Sequence, residues 1–156
     1  MSEVSAWYAV VDGAADERLY DLISITECHG CLYLGEYDPS VRIALPYLVK
    51  MHRDEKFSQI WSSHESGNFW GLLCQSKMSF VQLLRQLRHF TTAKLPLGDI
   101  VLFRFWDPRV FVPFVENGTE KEVAPFFKSV DTYIVDQGRK GRRSYRWNNG
   151  LEKASL

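Results

Sequence analysis

Three groups of residues have types and spacings that could do chemistry. The first is Cys28-His29-Gly30-Cys31, the spacing of a thiol redox pair or of half a zinc site. Zinc needs four ligands, and no second pair follows: His52, His64, His89 and Cys74 are scattered singly. A thioredoxin-like pair belongs between a strand and the start of a helix, whereas this one leads into a strand, so neither metal nor redox chemistry is expected. The second group is Asp12 and Asp107, each of which follows an apolar segment. Carboxylates at the carboxyl ends of strands can act as acid and base or hold a metal. The competing assignment puts Asp12 in a turn, makes Asp107 a helix N-cap and pairs one of them with Arg104 or Arg109; it is the one taken forward. His89 has no nucleophile signature beside it, and no G-x-S-x-G, G-x-x-x-x-G-K-[ST] or H-E-x-x-H occurs. The expectation is a non-enzymatic protein without cofactor or metal.

The third group is basic. Arg139, Lys140, Arg142, Arg143 and Arg146 fall within eight positions, beside Tyr145 and Trp147. Cations and rings together suit nucleic acid, where phosphates are neutralised and bases stack. They equally suit an acidic protein surface, where charge raises the encounter rate, or a solvated turn. The cluster also explains the overall balance. The chain has 19 basic and 19 acidic residues, but residues 1–137 hold 13 against 18, a charge of −5, and residues 138–156 hold 6 against 1, a charge of +5. Neutrality is a cancellation between an acidic body and a basic end.

The elements that must position these residues follow from periodicity. Trp7 to Val11 reads as a buried strand closed by Asp12-Gly13, and Asp16 as the N-cap of a helix with Leu19, Leu22 and Ile23 on one face. Cys31 to Tyr37 reads as a second strand, and Leu45 to Val49 as an edge or loop because of Pro46. Asp54 is expected to cap a helix carrying Phe57, Ile60, Trp61 and His64, ended by Ser66-Gly67-Asn68. Phe69 to Cys74 is another buried strand. Ser79 and Gln82 have capping-box spacing ahead of Phe80, Leu83, Leu84 and Leu87, a core stripe that leaves Arg85, Arg88 and His89 outside. Pro96 to Asp99 turns the chain into Ile100 to Trp106, an apolar strand broken by Arg104. Asp107 then caps a helix with Pro108 at its first position, kept short by Pro113. Thr119 and Glu122 repeat the capping box before an irregular helix over Val123, Phe126, Phe127 and Val130. Thr132 to Val135 and Ser144 to Trp147 flank Gly-Arg-Lys-Gly as a β-hairpin.

Strands alternating with helices make this an α/β or α+β single domain, a central sheet flanked by helices with a C-terminal β-hairpin. At 156 residues, with 46% hydrophobic and 14% aromatic residues, the chain can build a full core without disulfides, and its three cysteines suit a reducing compartment. No apolar stretch approaches the ~20 residues needed to cross a bilayer, and Met1 to Trp7 does not read as a secretory signal. A cytoplasmic protein with no membrane partner is expected.

Several segments in order are similar to one family: Trp7 to Ala14, Leu45 to Val49, Phe69 to Leu73, Leu84 to Arg88, and above all Val101-Leu102-Phe103-Arg104-Phe105-Trp106-Asp107-Pro108-Arg109-Val110. Together, over about residues 6 to 136, they resemble the effector-adaptor chaperones of bacterial type VI secretion, also called the Tap or Tec adaptors and long catalogued as a domain of unknown function. The resemblance implies a cytoplasmic, non-enzymatic chaperone that binds a secreted toxin effector and helps load it onto a VgrG-type spike protein. It makes Asp12, Arg104, Asp107, Pro108 and Arg109 a structural corner. Contacts with partners are expected from Arg139, Lys140, Arg142, Arg143, Tyr145, Arg146 and Trp147, with Tyr37 a further exposed aromatic. Members usually carry a second, variable lobe. Here residues 1–137 are expected to form the adaptor core, with the basic hairpin end and tail of 138–156 in that lobe's place.

Overall fold

A computed structural model describes residues 4–64 and 67–156. In chain order its strands are β1 (Ala6–Asp12), β2 (His29–Cys31), β3 (Pro46–Lys50), β4 (Gly71–Ser76), β5 (Thr92–Lys94), β6 (Ile100–Leu102), β7 (Thr132–Asp136), β8 (Arg142–Trp147) and β9 (Leu151–Ser155). Its helices are α1 (Leu19–Ser24), α2 (Pro39–Arg42), α3 (Lys56–Ser63), α4 (Phe80–Arg88), α5 (Pro108–Asn117) and α6 (Glu120–Val123). Seven strands form one sheet in the order β2-β3-β1-β4-β7-β8-β9, antiparallel throughout, and β5 and β6 form a separate two-stranded ribbon. Of the two classes expected, the antiparallel sheet makes this α+β.

β1 lies in the middle because its sequence, AWYAVVD, is apolar on both faces, as a strand covered on both sides must be. Tyr8 and Val10 point into a core with Leu48, Leu72, Cys74, Tyr133 and Val135, closed by Leu83, Leu84 and Leu87 of α4 and by Phe111 and Val115 of α5. Ala9 and Val11 point the other way, into a second core with Val49, Leu19 and Ile23 of α1, and Phe57 and Trp61 of α3. Each large aliphatic side chain so buried contributes about 1.5–3 kcal/mol. At Gly71, opposite Val11, a Cβ would stand 1.9 Å from the Val10 carbonyl oxygen, and φ is +150°, so only glycine lets β4 come this close.

Both expected capping boxes form: the Ser79 hydroxyl accepts from the Gln82 amide, and the Thr119 hydroxyl from that of Glu122. Other boundaries differ for local reasons. Asp54 and Asp16 do not cap. α3 starts behind Glu55 without a side-chain cap, and Asp16 binds Arg18 instead. The expected stop of α3 at Ser66 lies outside the described residues. The second strand is His29–Cys31, not Cys31 to Tyr37, and it pairs with β3. β3 is therefore an inner strand. Pro46 is tolerated as its first residue, where no ladder donor is lost. α5 runs past Pro113 to Asn117, because that proline sits on the exposed side while Phe111 and Val115 hold the helix down. After α6, Pro125 falls in a 3-10 turn over Ala124–Phe127.

The largest revisions lie at the two ends of the basic and apolar motifs. The run from Ile100 keeps strand geometry only to Leu102 and never joins the main sheet. The expected C-terminal hairpin is real but is two-thirds of a meander: residues 151–155, read as tail, form β9 against β8. The boundary at 137 thus falls in a loop within one sheet.

Candidate functional site

Asp12 ends β1, and its carboxylate accepts from the Ala14 amide at 3.0 Å and from the Arg104 guanidinium. The Asp107 carboxylate caps α5 by accepting from the Arg109 amide at 2.9 Å, and takes Nε and a terminal nitrogen of Arg109 at 3.0 and 2.9 Å. Burial pushes the Asp107 carboxyl upward, but the Arg109 hydrogen bonds outweigh it, with the charges of Arg109 and Arg104 adding, so the pKa ends below the usual carboxylate range. Asp12 in turn raises Arg109 after the larger effect of Asp107. The guanidinium of Arg109 also sits 4.9 Å from the centre of the Phe69 ring. One such pairing was expected, and both carboxylates make one. With a bidentate arginine on a carboxylate that also caps a helix, this quartet fastens the exit turn of β1 to the start of α5. Phe105 and Trp106, between Arg104 and Asp107 in the chain, are fully buried.

The basic cluster is divided by the pleat of β8. Successive side chains alternate faces. Arg143, Tyr145 and Trp147 turn toward α5, and there Arg143 and Lys153 meet the Glu116 carboxylate at 3.4 and 2.7 Å. Tyr145 is fully buried against Phe111, and burial raises its hydroxyl pKa. Trp147 is half-buried beside Phe127. Of these three expected contact residues Tyr145 is wholly buried, while Arg143 and Trp147 keep part of their surface, because the strand period carries all three to the α5 side. Arg142 and Arg146 face the other way and are exposed, and Arg139 and Lys140 are exposed in the 3-10 turn at 138–140. Both rings thus lie on the side of β8 opposite Arg142 and Arg146. Tyr37 is half-buried, its hydroxyl donating to the Leu34 carbonyl.

One surface went unforeseen. Leu97 is 95% exposed, Ile100 72% and Leu102 67%, all on or beside the β5–β6 ribbon, and Leu34, across a groove from it, is 73% exposed. The groove, a cavity of about 530 Å³, is lined by Tyr33, Leu34, Tyr37, Thr92 and Leu102 among others. Thr92 and Leu102 stand opposite one another, as do Lys94 and Ile100, so these four share one face of the ribbon. The sequence signal was Leu-Pro-Leu-Gly-Asp between the β-prone Thr91-Thr92-Ala93 and the apolar Ile100 to Leu102, which spells a hairpin as well as a turn into a core strand.

The cysteines are free. Cys28 and Cys31 are half-buried, and burial pushes the Cys31 thiol upward, away from the thiolate that redox chemistry needs. Among the described residues no three His, Cys, Asp or Glu side chains gather as a metal site, and no helix is long and apolar enough to cross a membrane.

The fold and site describe an antiparallel α+β domain with a cross-braced corner and two chemically distinct open surfaces. The family model for "Domain of unknown function (DUF4123)" matches residues 7–124, and the chain belongs to that family. The match includes every residue of the Asp12-Arg104-Asp107-Arg109 corner and all of the ribbon. No curated protein and no solved structure matches the chain.

Proposed function

We propose that this protein is a non-enzymatic adaptor of type VI secretion, which binds a toxic effector in the cytoplasm and helps load it onto a VgrG-type spike. The class rests on the resemblance of the Arg104-x-x-Asp107-Pro108-Arg109 segment to the effector-adaptor chaperones, with which membership of a family of unknown function is compatible. The observation that carries the reading is the β5–β6 ribbon. A soluble domain that leaves several neighbouring leucines and isoleucines open to solvent has a surface shaped for another protein, since contiguous exposed apolar patches mark such sites. The acidic side chains offer no counterweight, because Asp12 and Asp107 are committed to arginines.

The test is co-purification of the full chain with the toxin encoded beside it. The complex is expected with the unaltered chain. It is expected to weaken at least tenfold when Ile100→Ser and Leu102→Ser are combined, with the melting temperature unchanged because both side chains are exposed. A toxin that never co-purifies with the unaltered chain sinks the reading.

A further inference from the structure

The helical layer over one side of the sheet is incomplete. Ala9, Leu73, Ile134, Ser144 and Ala154 stand opposite one another across β1, β4, β7, β8 and β9 and so share one face. Ala9 is fully buried and Leu73 packs at the margin of the core beneath α1 and α3. Beyond Leu73 no helix among the described residues packs on this face: Ile134 and Ser144 are half-buried, Ala154 is exposed and Ile134 belongs to neither core, while at the loop end Trp61, Ser62 and His64 border Ile134, Asp136 and Arg142. Arg142 and Arg146 flank Ser144 on this same face. Neither has a carboxylate within ion-pairing distance among the described residues, although Asp136 stands opposite Arg142 and Glu152 opposite Arg146. Asp136 is buried, its oxygens accepting from the Gly67 and Gly138 amides at 2.9 and 2.8 Å. Arg139 and Lys140 stand exposed beside the face at the loop end.

We infer that this uncovered face of β7, β8 and β9 docks an acidic, amphipathic helix of the toxin, completing the layer that α1 and α3 begin. The inference rests on the adaptor reading. The width fits: three strand spacings from β4 to β9 span roughly 14 Å, enough for a helix about 10–12 Å across. Small and aliphatic side chains along the centre accept its apolar stripe, and arginines on both sides select acidic flanks. The charge favours an acidic partner, because on and beside this face the exposed cations Arg139, Lys140, Arg142 and Arg146 outnumber the one exposed carboxylate, Glu152. A charged, partly wet face associates quickly and releases reversibly. Cargo that leaves while the adaptor stays behind needs that release. Nucleic acid fits less well, since Tyr145 and Trp147 lie on the opposite side of β8 and cannot stack on bases.

The experiment measures binding of the catalytically inactivated toxin encoded beside the chain, of the spike protein, and of a single-stranded dT oligonucleotide to the full-length protein at several salt concentrations. Three variants are compared: Arg142→Glu with Arg146→Glu; Ala154→Trp, which blocks the exposed row sterically; and Arg85→Glu with Lys121→Glu, the same charge change on the exposed side of α4 and α6. The expected result is at least a tenfold loss of toxin affinity for the first two and less than twofold for the third, with spike binding unchanged. Equal losses from both charge reversals, or toxin binding untouched by the first two variants, would overturn the docking face while leaving the adaptor reading intact. Loss of spike binding alone would reassign the face to the spike. Oligonucleotide binding that the first variant abolishes, with toxin binding unchanged, would give the face to nucleic acid. Absence of toxin binding by the unaltered protein would remove the adaptor reading itself.

Discussion

At the residue scale, the Asp12-Arg104 and Asp107-Arg109 pairs make the structural corner expected of them. Arg104 is half-exposed while Asp12 is buried, so removing the arginine leaves an inward carboxylate without its cation. Arg104→Ala should cost about 1–3 kcal/mol, and a double-mutant cycle with Asp12→Ala should show a coupling of at least about 0.5 kcal/mol by denaturant unfolding. Additive losses would mean that the pair is incidental. Asp107→Asn separates two roles, because asparagine caps a helix as well as aspartate does but cannot hold a charge against Arg109. The Asp107 pKa is depressed on folding, so the pairing stabilises fully above the unfolded value of about 3.9 and is lost as pH falls through the lower folded value. Since Arg109 is mostly solvated, the loss at neutral pH should be only about 1 kcal/mol, and it should vanish in acid. A pH-independent difference between the two proteins in urea titrations would contradict this account.

At the scale of elements, legibility followed how local the cause was. α4 was readable because a capping box and a leucine stripe both lie within ten residues, and Ser79→Ala should cost about 1 kcal/mol by removing an amide acceptor that nothing else replaces. β1 and the β7–β8 hairpin were readable for the same reason. The salt-bridged corner was half legible: residue types and the Asp-Pro cap suggested the pairing, but that Arg104 reaches back 92 positions to Asp12 is a fact of topology. The ribbon and β9 were missed because Ile100 to Leu102 and Leu151 to Ser155 have compositions that fit a core strand and a tail, and only the sheet's register says otherwise. The basic cluster shows the limit most plainly. Its charge was visible in the sequence, but the period of two along β8 assigns Arg143, Tyr145 and Trp147 to the inside, and their neighbours to the outside, only once the strand's phase is known. Tyr145→Ala is therefore expected to destabilise by about 3–5 kcal/mol, as loss of a buried aromatic does, whereas Arg146→Ala should leave the melting temperature within a degree or two.

At the scale of the whole molecule, the zero net charge resolves into an acidic body, residues 1–137, which carries the apolar ribbon, and a basic sheet margin, residues 138–156. Under the proposed adaptor function both open surfaces, the apolar ribbon and the basic face of β7, β8 and β9, hold the toxin. The direct measurement of that role is export of the toxin encoded beside this chain, compared between wild-type cells, cells lacking the chain and cells complemented with it. Loss of the toxin from the medium on deletion, with accumulation or degradation inside and recovery on complementation, is the predicted result. Export at the wild-type level without the chain would contradict it.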